Sequence, residues 1–179
     1  MEESPITDAV LGERVPSRPR LKAVEPLTRG RVEPLCVEEV RSLAAFNALE
    51  AEWNALVKRV DDQVFYRHEF MRCWIENFAP GAALRILTAR NALGMLVAVL
   101  GLQEEQGHQY GVPVRQLSSL TNKHSCRFDL VAEEPRRAAV AFLSHLMGDP
   151  SWEVLRLSDV PEGGAAWELL SAAKGAGMP

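Results

Sequence analysis

The run "GMLVAVLGL", Gly94 to Leu102, is the feature that most narrows what this chain can fold into. It is the longest unbroken apolar stretch and far shorter than the ~20 residues a helix needs to span a bilayer. A strand this apolar has no polar face to offer water, so it belongs at the centre of a sheet covered on both sides. Layers of helix above and below are the economical way to cover it. The preceding run "ALRILTAR" is also of β type, and Asn91 and Gly94 between them predict a hairpin.

The remaining pattern supplies those layers. "VEPLCVEEV" reads as a strand, after which Ser42 offers an N-cap to one helix with Leu43, Phe46, Leu49, Trp53, Leu56 and Val60 on its apolar stripe. Lys58 and Arg59 suit the last turn of that helix. A shorter helix carries Phe70, Met71, Trp74 and Phe78 on one face and ends at Pro80-Gly81. Beyond the central strand, "EEQGHQYGVP" reads as a polar loop, and "VRQLSSL" and "RFDLV" as strands. Pro135 then opens a helix with Ala139, Phe142, Leu143 and Leu146 inward and Gly148 and Pro150 at its end. Trp152 to Leu157 predicts another strand, and Ala165 to Ala173 a final helix. The expected class is α/β, ordered strand, two helices, three or four strands, helix, strand, helix.

Residues 1–31 have no sustained period and contain Pro5, Pro16, Pro19 and Pro26, so they are expected to form a flexible tail before one domain at 32–179. Six basic residues there, Arg14, Arg18, Arg20, Lys22, Arg29 and Arg31, suit a solvated tail better than an anionic partner. A net charge of −4 with 47% hydrophobic residues argues against a nucleic-acid binder and against an acidic disordered chain. The opening residues are acidic and lack the order of a secretory signal. Cys36, Cys73 and Cys126 form neither a disulfide framework nor a CxxC pattern. A cytoplasmic protein with reduced thiols and no membrane span is the expectation.

Self-sufficient catalytic motifs are missing: no G-x-S-x-G, no G-x-x-x-x-G-K-[ST], no G-x-G-x-x-G and no H-E-x-x-H. The segment "LTNKHSCRFDL", Leu120 to Leu130, is instead crowded with reactive groups. His124 and Cys126 would share a face if extended, a possible thiol–imidazole pair or half a metal site, but a nucleophilic cysteine normally meets a histidine from elsewhere in the fold and two ligands do not hold a zinc ion, so a polar loop bonding its neighbours is the better account. His68 and Glu69 stand at a helix start, where a carboxylate favours the dipole without any catalytic role. His108 and His145 read as solvated, and Trp53, Trp74, Trp152 and Trp167 as core or half-buried packing.

Five stretches carry a resemblance. "FNALEAEWNAL", "VFYRHEFMRCWIENF", "LRILTARNALGMLVAVLGL", "LTNKHSCRFDLV" and "LSHLMGDPSWEVLRLSDVPEG" resemble, in that order, the CelD-type branch of the GNAT acyltransferase superfamily, related to the FemAB aminoacyltransferases. Those proteins are often labelled cellulose-biosynthesis proteins. The resemblance covers about Val37 to Gly164 and implies a GNAT-like mixed central sheet flanked by helices, incomplete at the C-terminus. It implies transfer of an acyl group from acyl-coenzyme A, such as acetyl-CoA, to an amine-type small-molecule acceptor in a ternary complex. Members are about twice this long, with two GNAT-like halves, so the partner it implies is a second half. A Gly-containing pyrophosphate loop should precede the helix that here begins "VAEEPRR", where Glu133 and Glu134 bring negative charge and Pro135 has no N–H to donate. This half is therefore expected to be degenerate for coenzyme binding and to serve substrate binding or scaffolding. The resemblance puts Asn122, His124, Arg127 and Asp129 on a cleft between the halves, positioning an acceptor or bracing the cleft. Bracing is favoured over His124 as a general base, because Arg127 and Asp129 share a strand face and can pair locally while His124 has no identifiable partner. The alternatives are a non-enzymatic binding or regulatory module and a thiol enzyme on Cys126 and His124.

Overall fold

A computed structural model describes residues 33–122, 125 and 127–177. The tail expected at 1–31 lies outside the described residues, as do Lys123, His124 and Cys126. The elements are β1 (Cys36–Val40), α1 (Leu43–Asn47), α2 (Glu50–Val60), a 3-10 turn (Val64–Tyr66), α3 (His68–Phe78), β2 (Ala83–Arg90), β3 (Leu96–Gln109), β4 (Val112–Ser119), β5 (Val131–Ala132), α4 (Pro135–Met147), β6 (Val154–Arg156) and α5 (Trp167–Gly175). They build a mixed α/β fold around one six-stranded sheet of order β1-β2-β3-β4-β6, with β5 paired to β3 off that path. Every pairing is antiparallel except β4 with β6.

The apolar run becomes the inner half of β3, covered on both faces. Alternation divides its side chains: Val99 joins the core beneath α1, α2 and α3, whereas Ala98, Leu100 and Leu102 join the core beneath α4 and α5. β2 follows the same rule, with Leu84 and Ile86 on the first side and Leu87 and Ala89 on the second. The β2/β3 turn is closed by Asn91, whose Oδ1 accepts the amides of Leu93 and Met95 at 3.0 Å, with Gly94 at φ 77°.

Four expectations need correcting. "EEQGHQYGVP" is no loop: β3 runs on to Gln109 and returns from Val112 through a two-residue turn, Tyr110 at φ 51° and Gly111 at φ 82°. Positive φ at both central positions is the hairpin turn that matches strand twist, and the outer arms project beyond the core, so they read as polar. The single helix expected after Ser42 is two. Ser42 caps α1 through its Oγ, accepting the Ala45 amide at 3.2 Å, but the ladder is interrupted at Ala48-Leu49. There the Phe46 carbonyl takes the Leu49 amide at 2.9 Å and the fully buried His68 ring, Nε2 at 3.0 Å, so a side chain inserted into the ladder makes the break. Third, "RFDLV" forms a strand only at Val131–Ala132. Phe78, expected inward, is 54% exposed at the end of α3.

Candidate functional site

The segment Leu120–Leu130 is a loop-out from the sheet. β4 leaves β3 with Ser119 opposite Leu102, and pairing resumes with Val131 opposite Val99. Only Leu100 and Gly101 of β3 lie between those points, and the Gly101 carbonyl still accepts the Leu120 amide at 3.0 Å. A side chain at Gly101 would stand 3.3 Å from Leu120 Cδ1, so the glycine lets the chain depart close to the strand.

Each described residue of the loop has a definite anchor. Asn122 and Ser125 close a small turn, with Asn122 N–H donating to Ser125 Oγ at 2.9 Å and Ser125 N–H to Asn122 O at 2.8 Å. Thr121 Oγ1 donates to Asp159 Oδ2 at 3.0 Å, and the Phe128 amide to the Asp159 carbonyl at 3.0 Å. Asp159 holds φ 58°, an uncommon conformation for a residue with a side chain, at the point where the loop is clamped to the segment after β6.

Arg127 and Asp129 face different neighbours, correcting the expected local pair. Arg127 Nε donates to Tyr66 Oη at 2.6 Å, and the guanidinium carbon lies 5.7 Å from the Tyr66 ring centre. Burial raises the Tyr66 hydroxyl pKa, the Arg127 bond opposing it only in part. Asp129 instead accepts three amides: Leu130 and Ala166 at Oδ1, 2.9 and 2.6 Å, and Ala165 at Oδ2, 3.0 Å. It thus caps the start of α5, where orphan amides and the helix dipole favour a carboxylate. A side chain at Gly164 would come within 2.8 Å of that carboxylate, so the glycine makes the approach possible. The structure therefore brings Arg127 and Asp129 to one loop with opposite attachments and places Asn122 at its entry; His124, the fourth predicted residue, lies outside the described residues, as does the thiol–imidazole pair.

Tyr66 and Asp159 were not legible as members of this site, because they stand 61 residues before Arg127 and 38 after Thr121. Nor was a buried polar cluster centred on Arg85. Its guanidinium, 0% exposed, is held by Glu39 through two bonds of 3.2 and 3.0 Å, by Ser151 Oγ at 2.9 Å, by Glu104 at 3.3 Å and by Asp149. His145, read as solvated, places Nε2 2.9 Å from Glu39 Oε1 and belongs to this cluster.

At the start of α4 the two glutamates have cationic partners: Arg59 Nε donates to Glu133 at 2.6 Å and Arg137 Nη1 to Glu134 at 2.7 Å. Pro135 occupies the first helical position. Among the described residues no group of three or more His, Cys, Asp or Glu side chains is placed to hold a metal ion. No described helix is long and apolar enough to cross a membrane. No family model, no curated protein and no solved structure matches the chain.

Proposed function

We propose that residues 33–177 are a GNAT-like half of an acyltransferase of the CelD and FemAB type, binding or positioning an amine acceptor beside a second half that carries the acyl-coenzyme A. The observation that carries this reading is the order and pairing of elements: an antiparallel run from β1 through β4 with α1, α2 and α3 after β1, then the short β5, a helix and a strand parallel to β4. That agrees with the sequence resemblance, and the sheet divides where the resembling segment Leu120–Leu130 leaves it. The degenerate coenzyme site is supported by the α4 start, where Pro135 removes one amide donor and Glu134 adds charge of the sign a pyrophosphate carries. At α5 the amides that could hold an anion already hold Asp129.

Calorimetry of the chain with acetyl-coenzyme A at low salt is expected to give no saturable heat, and a micromolar isotherm would overturn the degenerate assignment. Combined with a GNAT-like half bearing a glycine-rich pyrophosphate loop, the chain is expected to support acyl transfer to an amine. Transfer no faster than by the second half alone would remove the acyltransferase reading.

A further inference from the structure

Tyr110, at the tip of the β3/β4 hairpin, is 98% exposed, the most open of the large apolar side chains described. It also holds φ 51°, a conformation that Asn, Asp or Gly takes at lower cost in a two-residue turn. An unburied aromatic ring and a strained backbone thus coincide at one residue, the combination expected where strain serves a contact outside the fold. Val112 beside it is exposed as well. From His108 to Val114 the tip carries no Asp, Glu, Lys or Arg.

Beside this hairpin lies a largely apolar groove of about 790 Å³. Its lining begins at Gln109, the neighbour of Tyr110, and includes Trp152, Leu155 and, on α5, Trp167 and Leu170. β6 ends the strand order, so among the described residues no further strand covers this side. Trp167 and Leu170 are half-exposed, and the Trp167 Nε1 already donates to the Pro161 carbonyl at 2.9 Å, which leaves the ring to offer apolar surface. The two acids that line the groove have partners: Glu153 pairs with Arg115 at 3.5 Å, and Asp159 accepts the Thr121 hydroxyl at 3.0 Å. A tip without Asp, Glu, Lys or Arg can therefore enter without burying a lone charge of its own.

We propose that the occupant of the groove is Tyr110 of a second copy of this chain, two copies exchanging hairpin tips about a two-fold axis. Knob and groove adjoin at Gln109 and Tyr110 on the same copy, which suits a two-fold exchange in which each copy receives beside the place where it gives. The area is sufficient. A tyrosine ring offers about 200 Å² and covers a like area of its groove, so two knobs and two grooves remove about 800 Å² from water. Val112, Trp167 and Leu170 carry the contact to the ~1,000 Å² that a specific interface needs. That is the low end of the range, so the dimer forms and separates with concentration. The dimer does not rest on the acyltransferase reading.

Sedimentation equilibrium of the full chain from ~10 µM to ~1 mM tests the proposal, and a monomer–dimer equilibrium with a dissociation constant of ~100 µM or below is expected. Tyr110→Asn removes the knob and suits the turn, so it should melt no lower than the parent yet dimerise at least ~10-fold more weakly. Leu170→Glu puts a charge into the groove and should weaken the dimer by at least ~10-fold with an unchanged circular dichroism spectrum. Should that variant not fold, Leu170→Ser takes its place. A contact of tip upon tip would survive the change at Leu170, and a contact of α5 upon α5 the change at Tyr110. A dimer insensitive to either change therefore overturns the exchange. A chain that stays monomeric over the whole range overturns the dimer, and the groove then belongs to a different occupant.

Discussion

Asp129 gives both carboxylate oxygens to amides at the start of α5, and Gly164 has no side chain because that carboxylate fills the space. Asp129→Ala is expected to destabilise by about 2–3 kcal/mol, since it strands the Ala165 and Ala166 amides and removes a cap. Gly164→Ala should also destabilise, its Cβ falling within 2.8 Å of Asp129 Oδ2 and 2.9 Å of Pro161 Cγ. The double variant should cost less than the sum, because removing the carboxylate relieves one of those two contacts. Urea unfolding of the four proteins checks all of this, and strict additivity would show that Gly164 is constrained by Pro161 alone. The sequence contained "D" and "GG" in plain view, but nothing in their 35-residue separation tells that one fits into the other. Arg127 misled for the same reason: a local partner two residues away looked sufficient, while Tyr66, far off in the chain, held the better geometry.

At the scale of elements, the Arg85 cluster ties β1 and β2 to the segment after α4 through Glu39, Asp149 and Ser151. The Ser151 hydroxyl and amide, together with Arg85, hold Asp149 down to about 2 from its ordinary 3.8. For Glu39, burial pushes upward, yet the bonds from Arg85, Arg41 and His145 outweigh it and the pKa is lowered. A lowered carboxylate pKa contributes stability above the ordinary carboxylate range and loses it as pH falls through the folded value. The cluster should therefore weaken from about pH 4.5 toward pH 2, the window between the ordinary and the lowered values. Arg85→Met removes the buried cation and leaves its carboxylates to the exposed Arg41, and is expected to cost about 2–3 kcal/mol at neutral pH. Its cost should shrink at pH 3, where those carboxylates of the variant take up protons. Thermal melts of both proteins across that range decide the matter, and a cost independent of pH would mean that packing, not charge, dominates at Arg85. Helices and strands were legible here wherever a period was long, as in β2, α3 and α4. The break at Ala48-Leu49 was not, because its cause, His68, arrives from another element. The β3/β4 hairpin was missed because its arms beyond the core carry no apolar alternation.

The described residues form two cores, one on each face of a single sheet, and β2 and β3 contribute side chains to both. The apolar run from Gly94 to Leu102 foretold this two-sided covering, since such a strand is stable only when neither face meets water. Loss of either helical layer would expose β3, so the two faces should unfold together instead of in sequence. The tryptophans report on both sides: Trp53 and Trp74 lie in the core beneath α1 to α3, and Trp152 packs against the core beneath α4 and α5. A variant keeping only Trp53 and one keeping only Trp152, the others replaced by Phe, are each expected to show the same urea midpoint by fluorescence as by circular dichroism. The same coincidence is expected after removal of residues 1–30, with a melting temperature within a few degrees of the full chain, because that segment offers no apolar periodicity to bury. Fluorescence and circular dichroism midpoints that separate within the Trp53-only or the Trp152-only protein would show that the faces fold independently. A larger fall on truncation would show that residues 1–30 pack against the domain, which the sequence does not foretell.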